Sequence, residues 1–215
     1  MGSDRLNGSE LDAAVIHDVK NRLAILTDEL NKLNELALPP QAHGHAASAT
    51  RQTRHITRKL VEYLTLRRAA DPGGLRAETR EEVPALLLDE ILADARTLAG
   101  ERLQVDLAPN VPPEFWFFDR YLVLLALDSA LYNALKFARS RVVLGARAEP
   151  CGLCFFVSDD GPGLQGQPAS GTSTGLGLRV CEAVAQAHRN KGVHGRIELR
   201  NREDGPGAVF ELHLP

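Results

Sequence analysis

The 215-residue chain has little cysteine, only three, and no strong surplus of either charge: 25 Lys and Arg against 28 Asp and Glu, a net −3. Three cysteines (Cys151, Cys154 and Cys181) build no disulfide framework, and the odd count points to a reducing, cytoplasmic setting. Balanced charge argues against a nucleic-acid binder, which shows a basic excess. No apolar run nears the ~18 residues of a membrane helix, and no N-terminal apolar stretch reads as a signal peptide. Neither the P-loop spacing nor a dinucleotide fingerprint occurs, and no internal repeat or low-complexity tract is visible. What is present is an apolar fraction of 44%, enough for a core.

Charge and punctuation divide the chain. Residues up to Ala70 hold 10 basic and 8 acidic side chains, and the remainder 15 and 20. Ala69-Ala70-Asp71-Pro72-Gly73-Gly74 is a strong helix terminator between the two parts. We read residues 9–70 as one domain and 71–215 as a second. In the first, Ser9-Glu10-Leu11-Asp12 is an N-cap candidate. Ile16, Val19, Leu23, Leu26, Leu30, Leu33 and Ala37 then alternate by three and four as a packed helical seam. Pro39-Pro40 ends that helix, and a second, from about Ala46, repeats the spacing at Ala49, Thr53, Ile56, Leu60 and Tyr63. Ile25, Leu36 and Leu64 lie off the seam, so a two-helix hairpin leaves apolar surface uncovered. A homodimer forming a four-helix bundle would bury it, as would docking on the second domain. The second domain alternates helical and strand patterns: helices over 84–98, 121–138 and 176–188, strands over 102–107, 141–146, 153–158, 196–200 and 208–214. The fold class is α+β, a helical hairpin followed by an α/β sandwich with helices on one face.

Three clusters can carry chemistry. His17 and Asn21 sit one helical turn apart on the face away from the seam, with Asp18 beside them. A neutral imidazole is a competent nucleophile near pH 7, and a carboxylate can orient it. Asn133 and Lys136 share one side of a helix, where an amide oxygen suits Mg²⁺ and an ammonium suits phosphate. Ser158-Asp159-Asp160-Gly161-Pro162-Gly163 follows a strand, and Gly171-Thr172-Ser173-Thr174-Gly175-Leu176-Gly177-Leu178 opens a helix. Asp159 can accept from an exocyclic amine, and glycines at a helix start admit an anion to backbone N–H groups. Each cluster alone has a plainer reading as a turn or a solvated face. Cys151-x-x-Cys154 has no second pair, and three residues apart on a strand the thiols would face opposite ways.

In this order the clusters resemble the histidine protein kinases of two-component signalling. His17-Asp18-Val19-Lys20-Asn21 is similar to the H-box and Asn133-Ala134-Leu135-Lys136-Phe137 to the N-box. Asp159-x-Gly161-x-Gly163 is similar to the G1 box and Gly175-Leu176-Gly177-Leu178 to the G2 box. The resemblance runs from about Leu11 to the final strand. It implies a Bergerat-type ATP-binding domain using ATP and Mg²⁺. Asp159 would read the adenine amine, Gly161 and Gly163 would leave room for the base, and Gly175 and Gly177 would cradle phosphates. Asn133 would hold the metal and Lys136 would approach phosphate. His17 would take the γ-phosphoryl group with Asp18 assisting, Asn21 could position a water for a phosphatase reaction, and a response regulator would be the partner. Four departures stand out: Arg22 replaces the usual Pro, Ser129 replaces an Asn, the segment between Gly163 and Gly175 is short without Phe, and Ala208 replaces a Thr. Arg22 implies a helix without a Pro bend. The length leaves no room for a sensor domain, so the chain is either the core of a longer protein or a kinase informed by a partner. The alternative is a histidine phosphotransferase relaying phosphate between regulators.

Overall fold

The computed structural model describes residues 8–36, 39–164 and 175–215, with side chains described from Asp18 onward except Lys20 and Pro40. The chain divides into two compact units, Met1–Leu64 and Thr65–Pro215. No helix among the described residues is long and apolar enough to cross a membrane.

The first unit is a helical hairpin. Helix α1 (Gly8–Glu35) begins one residue ahead of Ser9, which therefore lies inside the helix, and it runs unbroken through Arg22. Helix α2 (Pro40–Ala70) starts six residues earlier than its apolar pattern suggests. Pro40 occupies the first turn, where a missing N–H has no intrahelical partner to lose, and His43 N donates to Pro39 O at 2.9 Å. Ala37 of the expected seam, and the side chain of Ile16, lie outside the described residues. The remaining seam divides in two. Leu23 and Leu30 are half-buried, whereas Val19, Leu26 and Leu33 face solvent. On α2 Ala46, Thr50 and Thr53 are buried, as are Glu62 and Thr65 further along, while Ala49, Ile56 and Tyr63 are exposed. Hydrogen bonds cross the hairpin on its inner side: Asn34 Nδ2 donates to Thr50 Oγ1 at 2.9 Å, and Arg54 to Asn31 Oδ1 at 3.4 Å.

The second unit builds a five-stranded mixed sheet in the order β2-β4-β5-β9-β8. The strands are β2 (Gln104–Leu107), β4 (Arg141–Glu149), β5 (Gly152–Asp159), β8 (Arg196–Asn201) and β9 (Ala208–Leu214). Only β2 and β4 run parallel among these neighbours. Helices α3 (Pro84–Ala99), α4 (Arg120–Phe137) and α5 (Leu176–Ala187) pack on the sheet. The core lies between them, with Leu87, Ile91, Leu127, Leu144, Leu153, Phe118 and Phe155 almost wholly buried. Phe118 meets Phe155 edge-to-face, with ring centroids 5.4 Å apart. Two small ribbons carry no sequence signal: β1 (Arg80–Glu82) with β3 (Trp116–Phe118), and β6 (Arg189–Asn190) with β7 (Val193–His194). Strands of two or three residues show no period to detect.

One buried histidine ties two helix ends together. His188 Nδ1 donates to Val184 O at 2.8 Å, and its Nε2 accepts from Asp119 N at 3.0 Å. A backbone N–H can only donate, so Nε2 carries the lone pair and the ring is neutral. Burial holds its pKa below the ordinary value, outweighing the Val184 carbonyl and Asp119. An unfolded chain protonates this histidine near pH ~6.5, before the folded one does. The His188 contribution is therefore full above that pH and lost as pH falls below it. Melting curves at pH 7.5 and 5.5 are expected to show a drop that shrinks in His188→Gln; an equal drop in both would clear His188 of the effect.

Candidate functional site

Helix α4 is clothed in core on most sides. Leu122, Val123, Leu127, Ala130, Leu131 and Ala134 are buried, leaving a narrow exposed stripe of Tyr121, Asp128, Tyr132, Asn133 and Lys136. The helix is capped by Asp119, whose Oδ1 accepts from Leu122 N at 3.0 Å. Asn133 and Lys136 thus share one solvent-facing side. Ser129, in the place of the family's other Asn, is only 3% exposed and belongs to the buried side.

Asp159 ends β5 and is 8% exposed. Its Oδ1 accepts from Gly161 N at 2.8 Å, and the backbone of Ala208 also bonds its carboxylate. Burial nevertheless pushes the Asp159 pKa up, and the neighbouring Asp160 adds to the rise. A buried carboxylate partly satisfied by main chain is a strong acceptor for a ligand donor.

Close packing requires glycine beside Asp159. A Cβ on Gly161 would stand 2.6 Å from Phe137 O and 2.7 Å from Asp159 Oδ1. At Gly163, where φ is +75°, it would meet Asn201 Oδ1 at 2.7 Å. A side chain at either position would collide with Phe137, Asp159 or Asn201. Gly207 is tighter still: with φ at +129°, its Cβ would lie 1.9 Å from Asp159 O. Asn201 at the end of β8 accepts from Leu164 N at 2.8 Å and so pins the exit of the turn. Neither Asn201 nor Gly207 is signalled by local pattern, because each reaches the site through strand pairing.

Gly175 initiates α5 in the left-handed region, φ 66°, with nothing within 4 Å of where a Cβ would stand and no side chain capping the helix. Its open N-terminal amides can receive an anion. Gly177 lies in the first turn of α5. The stretch Gly171–Thr174 lies outside the described residues. So do the side chains of His17 and Lys20, although both residues fall within α1. Asp18 and Asn21 are exposed on that helix, and Arg22 Nε donates to Asp18 Oδ2 at 2.8 Å. The residue standing where the family usually has Pro therefore engages the carboxylate beside His17.

A second polar cluster occupies the other face of the sheet. Arg147 and Arg200 donate to Glu211 Oε1 at 2.9 and 3.3 Å, and His213 Nδ1 meets Glu149 Oε2 at 2.9 Å. Burial pushes Glu211 up, but the two guanidiniums outweigh it and hold the carboxyl below its ordinary range. Cys154 is buried here and pushed up to about 12 by that burial, whereas Cys151 is exposed in the β4–β5 turn, not on the strand. The two thiols share no site.

Residues 119–215 match the family described as histidine kinase-, DNA gyrase B- and HSP90-like ATPases. This segment starts at the cap of α4 and includes Asn133, Lys136, Asp159, Gly161, Gly163, Gly175 and Gly177. The chain is also 23% identical to the sensor histidine kinase CpxA of Escherichia coli K12, over 64% of this chain and 34% of CpxA. It thus spans about a third of the length of that relative. Its fold is similar to the histidine kinase AdeS of Acinetobacter baumannii, with a TM-score of 0.57, 17% identity, and 92% of this chain and 96% of that one covered. It is likewise similar to full-length ShkA in complex with AMPPNP, with a TM-score of 0.58, 20% identity, and coverage of 94% and 45%. Within the matched segment the helical stripe, the buried carboxylate and the open helix start come from α4, β5 and α5, three elements packed in one unit.

Proposed function

We propose that the chain is a histidine protein kinase core: it binds ATP with Mg²⁺, phosphorylates its own His17 and passes the phosphoryl group to an aspartate of a response regulator. The observation that carries this reading is the buried Asp159 carboxylate, set among glycines that admit no side chain, in a domain of the ATPase family. ShkA, of similar fold, is described with a bound ATP analogue, AMPPNP. Asp159 would accept from the adenine amine, Lys136 would approach phosphate, and the Gly175–Gly177 helix start would receive the phosphates. The exposed Asn133 amide offers a hard oxygen that fits Mg²⁺, which when bound neutralises phosphate charge.

In the transfer, the Nε2 lone pair of His17 forms a bond to the γ-phosphorus as the bond to the ADP oxygen breaks, and ADP leaves with that electron pair. Asp18 assists by accepting from the ring's other nitrogen, and Arg22 holds the same carboxylate. Asn21, one turn on, would position water for the reverse role as phosphatase. Receiver aspartate attack then moves the phosphoryl group on, returning the imidazole. The exposed basic residues Arg51 and Arg54 of α2 would steer the acidic partner. Incubation with Mg²⁺ and γ-labelled ATP tests the reading: the label should be acid-labile and base-stable.

The hairpin supports a homodimer. Val19, Leu26 and Leu33 on α1, with Ile56 and Tyr63 on α2, present apolar surface outward from the packed side of each helix. A second copy would bury these residues in a four-helix bundle. Leu26→Asp with Ile56→Asp is expected to reduce the solution mass to the 23.4 kDa of one chain while nucleotide binding persists. Sedimentation equilibrium reads this directly, and an unchanged mass would place the dimer contact elsewhere or remove it.

A further inference from the structure

We propose that Asp160 is a positioning residue for the nucleotide site, fastening the end of α4 to the strand end that carries Asp159. The inference rests on the ATP-binding reading above. Asp160 Oδ1 accepts from Arg139 N at 2.8 Å and from Ser140 N at 3.0 Å, and Oδ2 accepts from Ser140 Oγ at 2.5 Å. Its own N–H donates to Arg141 O at 3.2 Å. The residues it grips follow α4 directly, three to four positions past Lys136. One short peptide thus sits between a carboxylate aimed at a ligand and the helix bearing Asn133 and Lys136.

The local electrostatics make a carboxylate here conspicuous. A helix C-terminus carries partial negative charge and favours cations, and Asp159 stands next in sequence with a second negative charge. Burial disfavours an ionised Asp160, yet the donors from Ser140, Arg141 and Arg139 hold it well below the ordinary carboxylate range. An uncharged residue would relieve the repulsion but would not satisfy both main-chain N–H groups and the hydroxyl as a pure acceptor. Close packing shows what the clamp controls. Phe137 O, in the last turn of α4, would lie 2.6 Å from a Cβ at Gly161, and Gly161 N is what orients Asp159 Oδ1. Loosening the loop after α4 therefore lets Phe137 O, Gly161 and Asp159 shift together. The quantity set by Asp160 is the placement of the Asp159 carboxylate relative to the α4 stripe.

The test compares calorimetric affinities of the full chain for ATP and for purine riboside triphosphate, which lacks the exocyclic amine. Wild type should prefer ATP, and Asp159→Asn should erase the preference. Asp160→Ala is expected to cut that preference by roughly fivefold or more, and overall affinity by about tenfold, the scale of one misplaced hydrogen bond to a charged group. Asp160→Asn keeps an acceptor for the two N–H groups and should retain most of the preference; it serves if Asp160→Ala fails to fold. Its loss of charge beside Asp159 should also move the acid limb of ATP binding to lower pH. A purely structural role would weaken both nucleotides equally and leave the ratio at its wild-type value. That result, or an Asp160→Asn variant as damaged as Asp160→Ala, overturns the proposal. Should Asp159→Asn leave the preference untouched, the adenine reading itself fails, and this inference with it.

Discussion

His17→Ala is expected to carry no acid-labile label after incubation with Mg²⁺ and γ-labelled ATP, while its affinity for ATP stays within about twofold of wild type. The two readouts separate because the proposed nucleophile lies on α1, in the first unit, whereas the nucleotide groups lie within residues 119–215 of the second. No other residue of the helix offers the same chemistry. Asp18 and Asn21 cannot form a phosphoramidate, and His17 is the one histidine in the sequence of α1. Asn133→Ala should produce the converse pattern, losing label together with Mg²⁺-dependent nucleotide binding. Label that survives His17→Ala would move the acceptor to another residue. If wild type binds ATP and takes up no label, a partner-dependent core is favoured. If it neither binds nor labels but accepts phosphate from a phosphorylated receiver domain, the chain is a phosphotransferase instead.

Asp159→Asn should trade function for stability. Burial raises the Asp159 pKa in the folded chain, so an unfolded chain loses this proton at lower pH than the folded one. Between those two values and above, ionised Asp159 costs stability, and the deficit vanishes as pH falls below the unfolded value. Replacement by Asn removes the buried charge and keeps an oxygen for Gly161 N. The ligand-free variant is therefore expected to melt at or above the wild-type temperature at pH 7.5. Affinity for ATP should fall by roughly 10- to 100-fold, the range of a charge-assisted hydrogen bond lost from a buried site. Differential scanning calorimetry with and without ATP measures both effects. A variant that melts well below wild type would show that the carboxylate is structural, held by Gly161 and Ala208 for the turn alone.

Much of this chain is legible from local pattern. The periods of α3, α4 and α5 and the alternation of β4, β5, β8 and β9 set the elements within a few residues, because each is long enough to show its own repeat. The glycines at 161, 163, 175 and 177 and the polar pair Asn133 and Lys136 are visible by spacing alone, and their order resembles that of histidine kinases. Local pattern misleads where the partner is remote. The 3–4 seam of α1 contains two faces, and only the hairpin shows that Leu23 and Leu30 turn inward while Val19, Leu26 and Leu33 turn out. A heptad count gives a stripe without saying which neighbour it meets.

Tertiary structure alone assembled the site's supports. Strand β9 inserts between β5 and β8, which brings Asn201 and Gly207 against a turn some forty residues earlier in the chain. The grip of Asp160 on Ser140 likewise joins the residue after β5 to the loop between α4 and β4. Such contacts leave no periodic trace, because they depend on which strands pair and in what register. Residue type and spacing made Asp159 an acceptor candidate; the folded chain buried it, raised its pKa and surrounded it with backbone too close to admit any side chain but glycine's hydrogen.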